Sequence, residues 1–221
     1  MRLLVLLVVS GMALGGTAQA QTPSAPEPAK GYVVGGAQWV GSGVTSVSYG
    51  AEIGFTLMPR RVPNLQVFVD LGRIANVATP AVLKSAQVVI DYLNATEGSA
   101  AYSAREPVAF GAIGLRYALL TNPRVQPYAM GGFGGAQVKH NVTFSLRNTD
   151  VTGNLAQYGV TLGSDLSGTF IRPALTLGGG IVIPAWRRVI VDLQYRFLHT
   201  STADDGGINA HRAGIGFGVR F

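Results

Sequence analysis

Two side chains near the end of the sequence have the types and the spacing of a hydrolytic pair. His199 and Ser201 lie two residues apart in RFLHTS, so on an extended strand both project from the same face. Histidine can act as the base that activates a serine nucleophile. Such chemistry also needs a group that orients the imidazole, and the nearest carboxylates, Asp204 and Asp205, lie in the adjoining loop. The pattern leaves a hydrolase open and favours a polar hairpin rim.

The three histidines do not form a metal-ligand pattern. His199 and His211 are placed on neighbouring strands of the last hairpin, whereas His140 belongs to a strand across the sheet, which leaves too few ligands. The sequence has no cysteine, no phosphate-binding glycine loop and no paired-carboxylate motif. We therefore expect no metal, no cofactor and no disulfide framework.

Residues 1–20 have the features of a bacterial secretory signal. A basic residue precedes a Leu/Val core, and small residues end the segment at Ala18 and Ala20. The core is too short for a membrane helix, which needs roughly 18 or more apolar residues, so a single membrane anchor is the less favoured alternative. We predict cleavage after Ala20, a Pro-rich leader over 21–30, and one domain over 31–221.

From residue 31 onward, apolar residues alternate with small or polar ones along eight candidate strands. In VSYGAEIGFTLM, for example, Tyr49, Ile53 and Phe55 share one face, and glycines with Glu52 share the other. The strand GIGFGVRF near the end repeats this pattern. The first and fifth candidates, YVVGGAQWVG and QPYAMGGFGGAQV, are so rich in glycine that their register stays open.

The apolar faces of these strands are predicted to contact lipid. Charged residues are 13% of the chain and hydrophobic residues 48%, with a mean hydropathy of +0.30. A soluble barrel has a polar outer face, but here the polar face is mostly glycine with single charges, too sparse for a solvated exterior. Strands in hydrocarbon must pair all their backbone groups by closing the sheet. The sequence therefore predicts an all-β fold, a closed eight-stranded antiparallel transmembrane β-barrel.

Isolated charged residues on the sparse face are expected to meet inside this barrel. Charges in a nearly dry lumen must pair with one another. Because the lumen of an eight-stranded barrel is normally filled by side chains, we expect a structural plug rather than a conduction path. The residues of this predicted lumen network are Glu52, Asp70, Arg116, Arg172, Asp192, Arg196 and Arg212.

The connections alternate between short turns and long loops. The segments MPRRVPN, LTNPRV and PAWRR are short turns, and every second connection of an antiparallel barrel falls on the same rim. The second loop of the opposite rim contains TPAVLKSAQVVIDYLN, in which Thr79 and Pro80 have the types of an N-cap and a first helical residue. We predict a short amphipathic helix over 80–93.

With these features the chain resembles the small outer-membrane barrels of the OmpA/OmpX type. The strands PYAMGGFGG and LTLGGGI and the aromatic end of GFGVRF carry the resemblance. It implies the outer membrane of a Gram-negative-type bacterium, with short turns toward the periplasm and recognition of Phe221 by the barrel-assembly machinery. Basic residues of the short turns would then meet outer-membrane lipid head groups: Arg60, Arg61, Arg124, Arg187 and Arg188. Because the other basic residues are scattered, the formal net charge of +6 does not indicate a nucleic-acid partner.

For function, the sequence favours a structural or surface-interaction role, such as envelope integrity or adhesion, through extracellular loops with an unknown extracellular partner. A second hypothesis is a lipid A-modifying hydrolase, since RFLHTS resembles the His-x-Ser signature of outer-membrane lipid A deacylases. That family usually has asparagine after the serine, where this chain has Thr202. A third is a narrow conduit for ions or small hydrophobic molecules.

Overall fold

The computed structural model describes residues 30–58, 61–120, 124–164, 166–201 and 207–221. The predicted signal with its cleavage site, the leader up to residue 29, and the two aspartates near His199 lie outside the described residues. The elements in chain order are β1 (Gly31–Gly41), β2 (Thr45–Met58), β3 (Val62–Ile74), α1 (Pro80–Thr96), β4 (Ala100–Arg105), β5 (Val108–Ala118), β6 (Gln126–Leu146), β7 (Thr149–Asp150), a 3₁₀ helix (Thr152–Tyr158), β8 (Ser167–Trp186), β9 (Val189–Thr200) and β10 (Ile208–Arg220). Neither described helix is long and apolar enough to cross a membrane.

Eight of the strands form a closed ring, as the sequence predicts. The order around the ring is β1, β2, β3, β5, β6, β8, β9 and β10, with every neighbouring pair antiparallel. The ring closes where β10 pairs with β1, for example Val33 opposite Val219. Two backbone hydrogen bonds complete this seam, from Gly31 N to Phe221 O at 2.9 Å and from Phe221 N to Gly31 O at 3.0 Å. No edge of the ring is left open, which is what a sheet in hydrocarbon requires.

The bulky apolar side chains point outward along the barrel strands. Ile171 is 78% exposed, whereas its strand neighbour Ala174 is buried. Pairing around the ring also fixes the two registers that the sequence leaves open. On β1, Trp39 points outward and Val40 inward, and on β6 Phe133 points outward.

Glycine lines the lumen because the strands curl too tightly for larger residues. A Cβ added at Gly134 of β6 would lie only 1.9 Å from the carbonyl oxygen of Gly111 on β5. Real Cβ atoms essentially never lie within 3.0 Å of such an atom. The two strands therefore reach their observed separation only with glycine at this position.

At the long-loop end of the barrel, strand β6 continues beyond the ring. Its outer half pairs with β4 in the register already set by β5, since Ala100 lies opposite Leu146 and Val108 opposite Val138. Helix α1 packs on this projecting sheet, and β7 and the 3₁₀ helix complete it. We call this structure, residues 80–105, 139–164 and 166, the loop module. The helix predicted over 80–93 is confirmed, and it extends to Thr96.

A buried carboxylate ties the loop module to the barrel rim. Glu106 is fully buried, and its side chain accepts a hydrogen bond from the backbone N–H of Thr79, the N-cap residue of α1. The backbone N–H of Glu106 donates to Asn76 Oδ1 at 2.8 Å, and its carboxylate lies 3.1 Å from His140 Nε2. Thr79 makes no side-chain cap of its own, so Glu106 supplies the acceptor at the start of the helix.

Candidate functional site

Six buried charged residues form a belt across the middle of the lumen. Glu52 and Asp70 lie opposite each other on β2 and β3, and Arg196 and Arg212 lie opposite each other on β9 and β10. Like charges that face each other on one sheet repel. The acidic wall formed by β2 and β3 is therefore stable only when it faces the basic wall formed by β9 and β10. The members of the charged belt are Glu52, Asp70, Asp192, Arg116, Arg196 and Arg212.

Ion pairs across the lumen connect the two walls. Arg196 Nη1 lies 2.5 Å from Glu52 Oε2 and 3.6 Å from Asp70 Oδ2, and Arg212 Nη2 lies 3.7 Å from the same Asp70 oxygen. On the other side of the belt, Arg116 Nη1 lies 2.9 Å from Glu52 Oε1 and 3.6 Å from Asp192 Oδ2. Three carboxylates thus meet three guanidinium groups, and the belt carries no net formal charge.

Two tyrosines hold Arg116 in place. Its guanidinium carbon lies 4.5 Å from the ring centre of Tyr32 and 3.5 Å from that of Tyr128. The hydroxyl of Tyr32 donates to Glu52, and that of Tyr128 lies 3.0 Å from both carboxylate oxygens of Asp192. The sequence did not single out either tyrosine, because both lie on the strands whose register it leaves open. Each strand carries an aromatic residue on both faces, Tyr32 against Trp39 on β1 and Tyr128 against Phe133 on β6, so alternation alone does not indicate which face is inward.

Apolar side chains fill the lumen on both sides of the belt. The cluster toward the long loops contains Val40, Ile74, Val77, Val108, Phe110, Ala136, Val138, Ala174, Leu198, Ile208 and Ala210. The cluster toward the short turns contains Tyr32, Val34, Phe68, Tyr128, Met130, Val182 and Ile190. A cavity beside the belt measures about 20 Å³, the order of a single water. The described residues therefore leave the lumen packed rather than open.

Arg172, the seventh residue of the predicted network, lies apart from the belt. It is half-buried on β8 toward the long-loop end, and its guanidinium carbon is 5.4 Å from the ring centre of Phe170. It makes no ion pair with a described carboxylate. Alternation along β8 predicts that Arg172 faces the lumen, but it does not predict the position of Arg172 along the barrel axis.

The candidate hydrolytic residues lie on the outer wall of the barrel at the long-loop end. His199 Nδ1 is 2.8 Å from Asn209 Oδ1 on the next strand. Because that oxygen only accepts, Nδ1 carries a proton, and Nε2 of a neutral ring is left as an acceptor. Ser201 is exposed just beyond the end of β9. The partner of the imidazole is thus an asparagine on the neighbouring strand rather than the acidic residue that the sequence pattern predicts.

The other histidines do not join His199 in a metal site. His211 Nδ1 is 2.6 Å from the hydroxyl of Tyr195, and His140 lies beside Glu106 in the loop module. Among the described residues, no three potential metal-ligating side chains come together.

The loop module has a hydrophobic core separate from the lumen. One side of α1 packs against the inner face of the projecting sheet and against the 3₁₀ helix. The buried core residues are Val82, Ala86, Ile90, Leu93, Val142, Phe144, Leu146, Val151, Leu155 and Leu166. Next to this core, the hydroxyl and the backbone N–H of Thr152 hold the pKa of Asp150 below its ordinary value. Because this hydrophobic core is separate from the lumen, the loop module is a folded unit.

Phe221 follows β10 at the seam of the barrel. Its ring is 48% exposed and meets Phe55 edge-on, with ring centres 6.1 Å apart. This places an aromatic side chain on the lipid-facing wall at the short-turn end. Its recognition by assembly machinery stays a prediction.

Comparison with known proteins gives one family match. A model of the outer membrane protein beta-barrel domain matches residues 5–221. Among solved structures, neisserial surface protein A is 15% identical with a TM-score of 0.54, covering 87% of this chain and 97% of that one. Ail, the attachment invasion locus protein of Yersinia pestis, is 13% identical with a TM-score of 0.47, covering 86% and 97%. The N-terminal barrel domain of Pseudomonas aeruginosa OprF is 13% identical with a TM-score of 0.48, covering 87% and 98%. No curated protein sequence matches the chain.

Proposed function

The chain belongs to the outer membrane protein beta-barrel family and lies in the outer membrane of a Gram-negative-type bacterium, and we propose that it is a sealed scaffold that presents its loop module to partners at the cell surface. In this proposal the long-loop end faces outward. The basic short turns face the periplasm, where Arg61, Arg187 and Arg188 meet lipid head groups.

The observation that carries the proposal is the separate core of the loop module. A barrel needs only short connections to close, yet this chain spends some 50 residues on a helix and a sheet that project beyond the ring. The module is packed internally and tied to the rim through Glu106. Binding residues are often placed on loops held by a rigid scaffold. The filled and charge-neutral lumen supports a scaffold rather than a conduit.

Removing the module tests the proposal. Residues 77–107 and 140–167 would each be replaced by a short glycine-containing turn, leaving the eight-stranded ring. Cells displaying the full chain would be compared with cells displaying the ring alone for attachment to glass, to sister cells and to cultured epithelial cells. Surface amounts would be matched by heat-dependent gel mobility, which reports the folded barrel. We expect attachment to fall to the level of cells without the protein. Equal attachment by the ring alone would overturn the proposal.

A second candidate function is lipid A hydrolysis, which the contact between His199 and Asn209 favours. The asparagine oxygen holds the tautomer in which the imidazole Nε2 can accept a proton from a serine. Both His199 and Ser201 would face the outer leaflet. Lipid A from cells with the native chain and with Ser201→Ala would be compared by mass spectrometry. A lost acyl chain that reappears in Ser201→Ala supports the hydrolase, and identical lipid A in the two strains removes it.

A further inference from the structure

A pocket of about 290 Å³ opens in the loop module, between the end of α1, the β6–β7 turn and the end of the 3₁₀ helix. This volume is at the lower end of the range for small-molecule sites, roughly 300 Å³. It is far larger than the cavity beside the charged belt. The residues lining the pocket are Glu97, Leu146, Arg147, Thr149, Val151 and Tyr158.

The wall of this pocket is fixed by backbone contacts. Arg147 and Asn148 have φ values of 49° and 67°, the left-handed pair of a two-residue hairpin turn. The backbone N–H of Arg147 donates to Ser99 O at 3.0 Å, and that of Val151 donates to Phe144 O at 3.0 Å. The hairpin is thus anchored to the segment that follows α1. A ligand would meet a preformed wall rather than a loop that must first be ordered.

The lining combines an apolar floor with a polar rim. Leu146 and Val151 are buried at the floor, and Tyr158 is half-buried beside them. At the rim, the carboxylate of Glu97 and the hydroxyl of Thr149 make no hydrogen bond to another described side chain. The Arg147 guanidinium makes one long contact, at 3.4 Å, to the carbonyl of Glu97. Donors and acceptors therefore remain available to a ligand.

We propose that this pocket binds one sugar ring of a neutral glycan. A sugar ring has an apolar C–H face, which suits an aromatic and aliphatic floor, and hydroxyls that both donate and accept, which suit a guanidinium beside a carboxylate. The pocket offers one positive and one negative side chain. Glu97 disfavours a sulfate or phosphate group, and Arg147 disfavours an ammonium group. The inference rests on the proposed function, because it names the partner class of the loop module.

Saturation-transfer NMR on the full chain in lipid nanodiscs tests this inference. The probes are the neutral sugars methyl β-galactoside, methyl α-glucoside and methyl α-mannoside, with N-acetylneuraminic acid, glucosamine and glycine as charged comparisons. We expect transfer to at least one neutral glycoside. Transfer should be lost in Thr149→Trp, which fills the pocket, and fall at least tenfold in Glu97→Ala. It should be unchanged in Arg105→Ala, an exposed arginine of the same module.

Several results would overturn the inference. These are no transfer to any neutral sugar, equal transfer in Thr149→Trp, or preferred binding of a charged probe. Heat-dependent gel mobility and hydrogen exchange across α1 would establish that the variants keep the barrel and the module. The cell-attachment assay separates the two proposals. If attachment needs the module but survives Thr149→Trp and Glu97→Ala, the sugar site is wrong and the proposed function stands.

Discussion

Replacing Arg196 by methionine should destabilise the barrel more than any change on its surface. The Arg196 side chain is only 2% exposed. Its guanidinium lies 2.5 Å from Glu52 Oε2 and also contacts Asp70 Oδ2, at 3.6 Å. Without it, three buried carboxylates share two arginines. Removing one partner of a buried ion pair costs about 3–5 kcal/mol, because the remaining charge stays desolvated. We expect a loss of unfolding free energy in this range.

A compensating change distinguishes charge from packing. The double variant Glu52→Gln/Arg196→Met leaves two carboxylates and two guanidinium groups in the belt, so the formal charges again cancel. Replacing both members of a buried pair is often close to neutral, so the double variant should recover about 2 kcal/mol or more relative to the sum of the single losses. Arg61→Met on a short turn is the matched control and should change stability by less than about 0.5 kcal/mol.

Urea titration of the protein folded in lipid vesicles measures these free energies. Fluorescence is a suitable signal, since the two tryptophans of the chain, Trp39 and Trp186, are 68% and 71% exposed on the barrel wall and would leave lipid on unfolding. A loss below about 1 kcal/mol in the single variant would refute the reasoning. So would strictly additive losses in the double variant, because the two walls would then not depend on each other.

Three further outcomes follow from the same structure. Tyr128→Phe keeps the ring that contacts Arg116 but removes the hydroxyl that contacts Asp192. Urea titration should therefore show a loss of unfolding free energy of about 1.5–3 kcal/mol. The control Tyr117→Phe, on the lipid-facing wall, should show almost no loss. Gly134→Ala should prevent closure of the ring, seen as loss of the compact band on unheated gels. Gly35→Ala, whose added Cβ would be 3.9 Å from its nearest neighbour, should fold normally. Planar bilayers loaded with the native chain should show no conductance steps, and regular steps would contradict the filled lumen.

The barrel was predictable because a strand has only two faces. Alternation alone placed Glu52 and Arg196 inside and Ile53 and Tyr195 outside, and the structure has them so. Alternation does not indicate where along the barrel axis a residue lies. Arg172 has the right parity for the lumen, yet Gly178 is the residue of β8 that lies opposite Arg196, so Arg172 lies beyond the belt toward the long loops.

The loop module was predictable only in part. The helix follows from Pro80 and its apolar spacing, but β4 falls in a predicted loop, and the candidate strand that includes His140 is not predicted to reach Leu146. The stretch NVTFSL does alternate as a strand should, with Val142, Phe144 and Leu146 on one face. The other face of this stretch is polar, whereas the outward faces of the barrel strands are apolar. The pattern that indicates a lipid-facing strand therefore does not include this stretch. The role of Glu106 depends on contacts between distant segments, which no local pattern encodes.

The seam between β10 and β1 sets the order of events when the molecule is made. The two strands that meet there come from opposite ends of the described chain, so the cylinder cannot close until the final strand has arrived. Until then, both margins of the growing sheet present unpaired amides and carbonyls, the kind of surface that invites aggregation. Such a long-range closure is slow to form, so the polypeptide must be kept apart from its own copies during transit. A chain cut short before β10 would leave β1 and β9 with unpaired edges, so we expect truncation there to abolish the closed barrel.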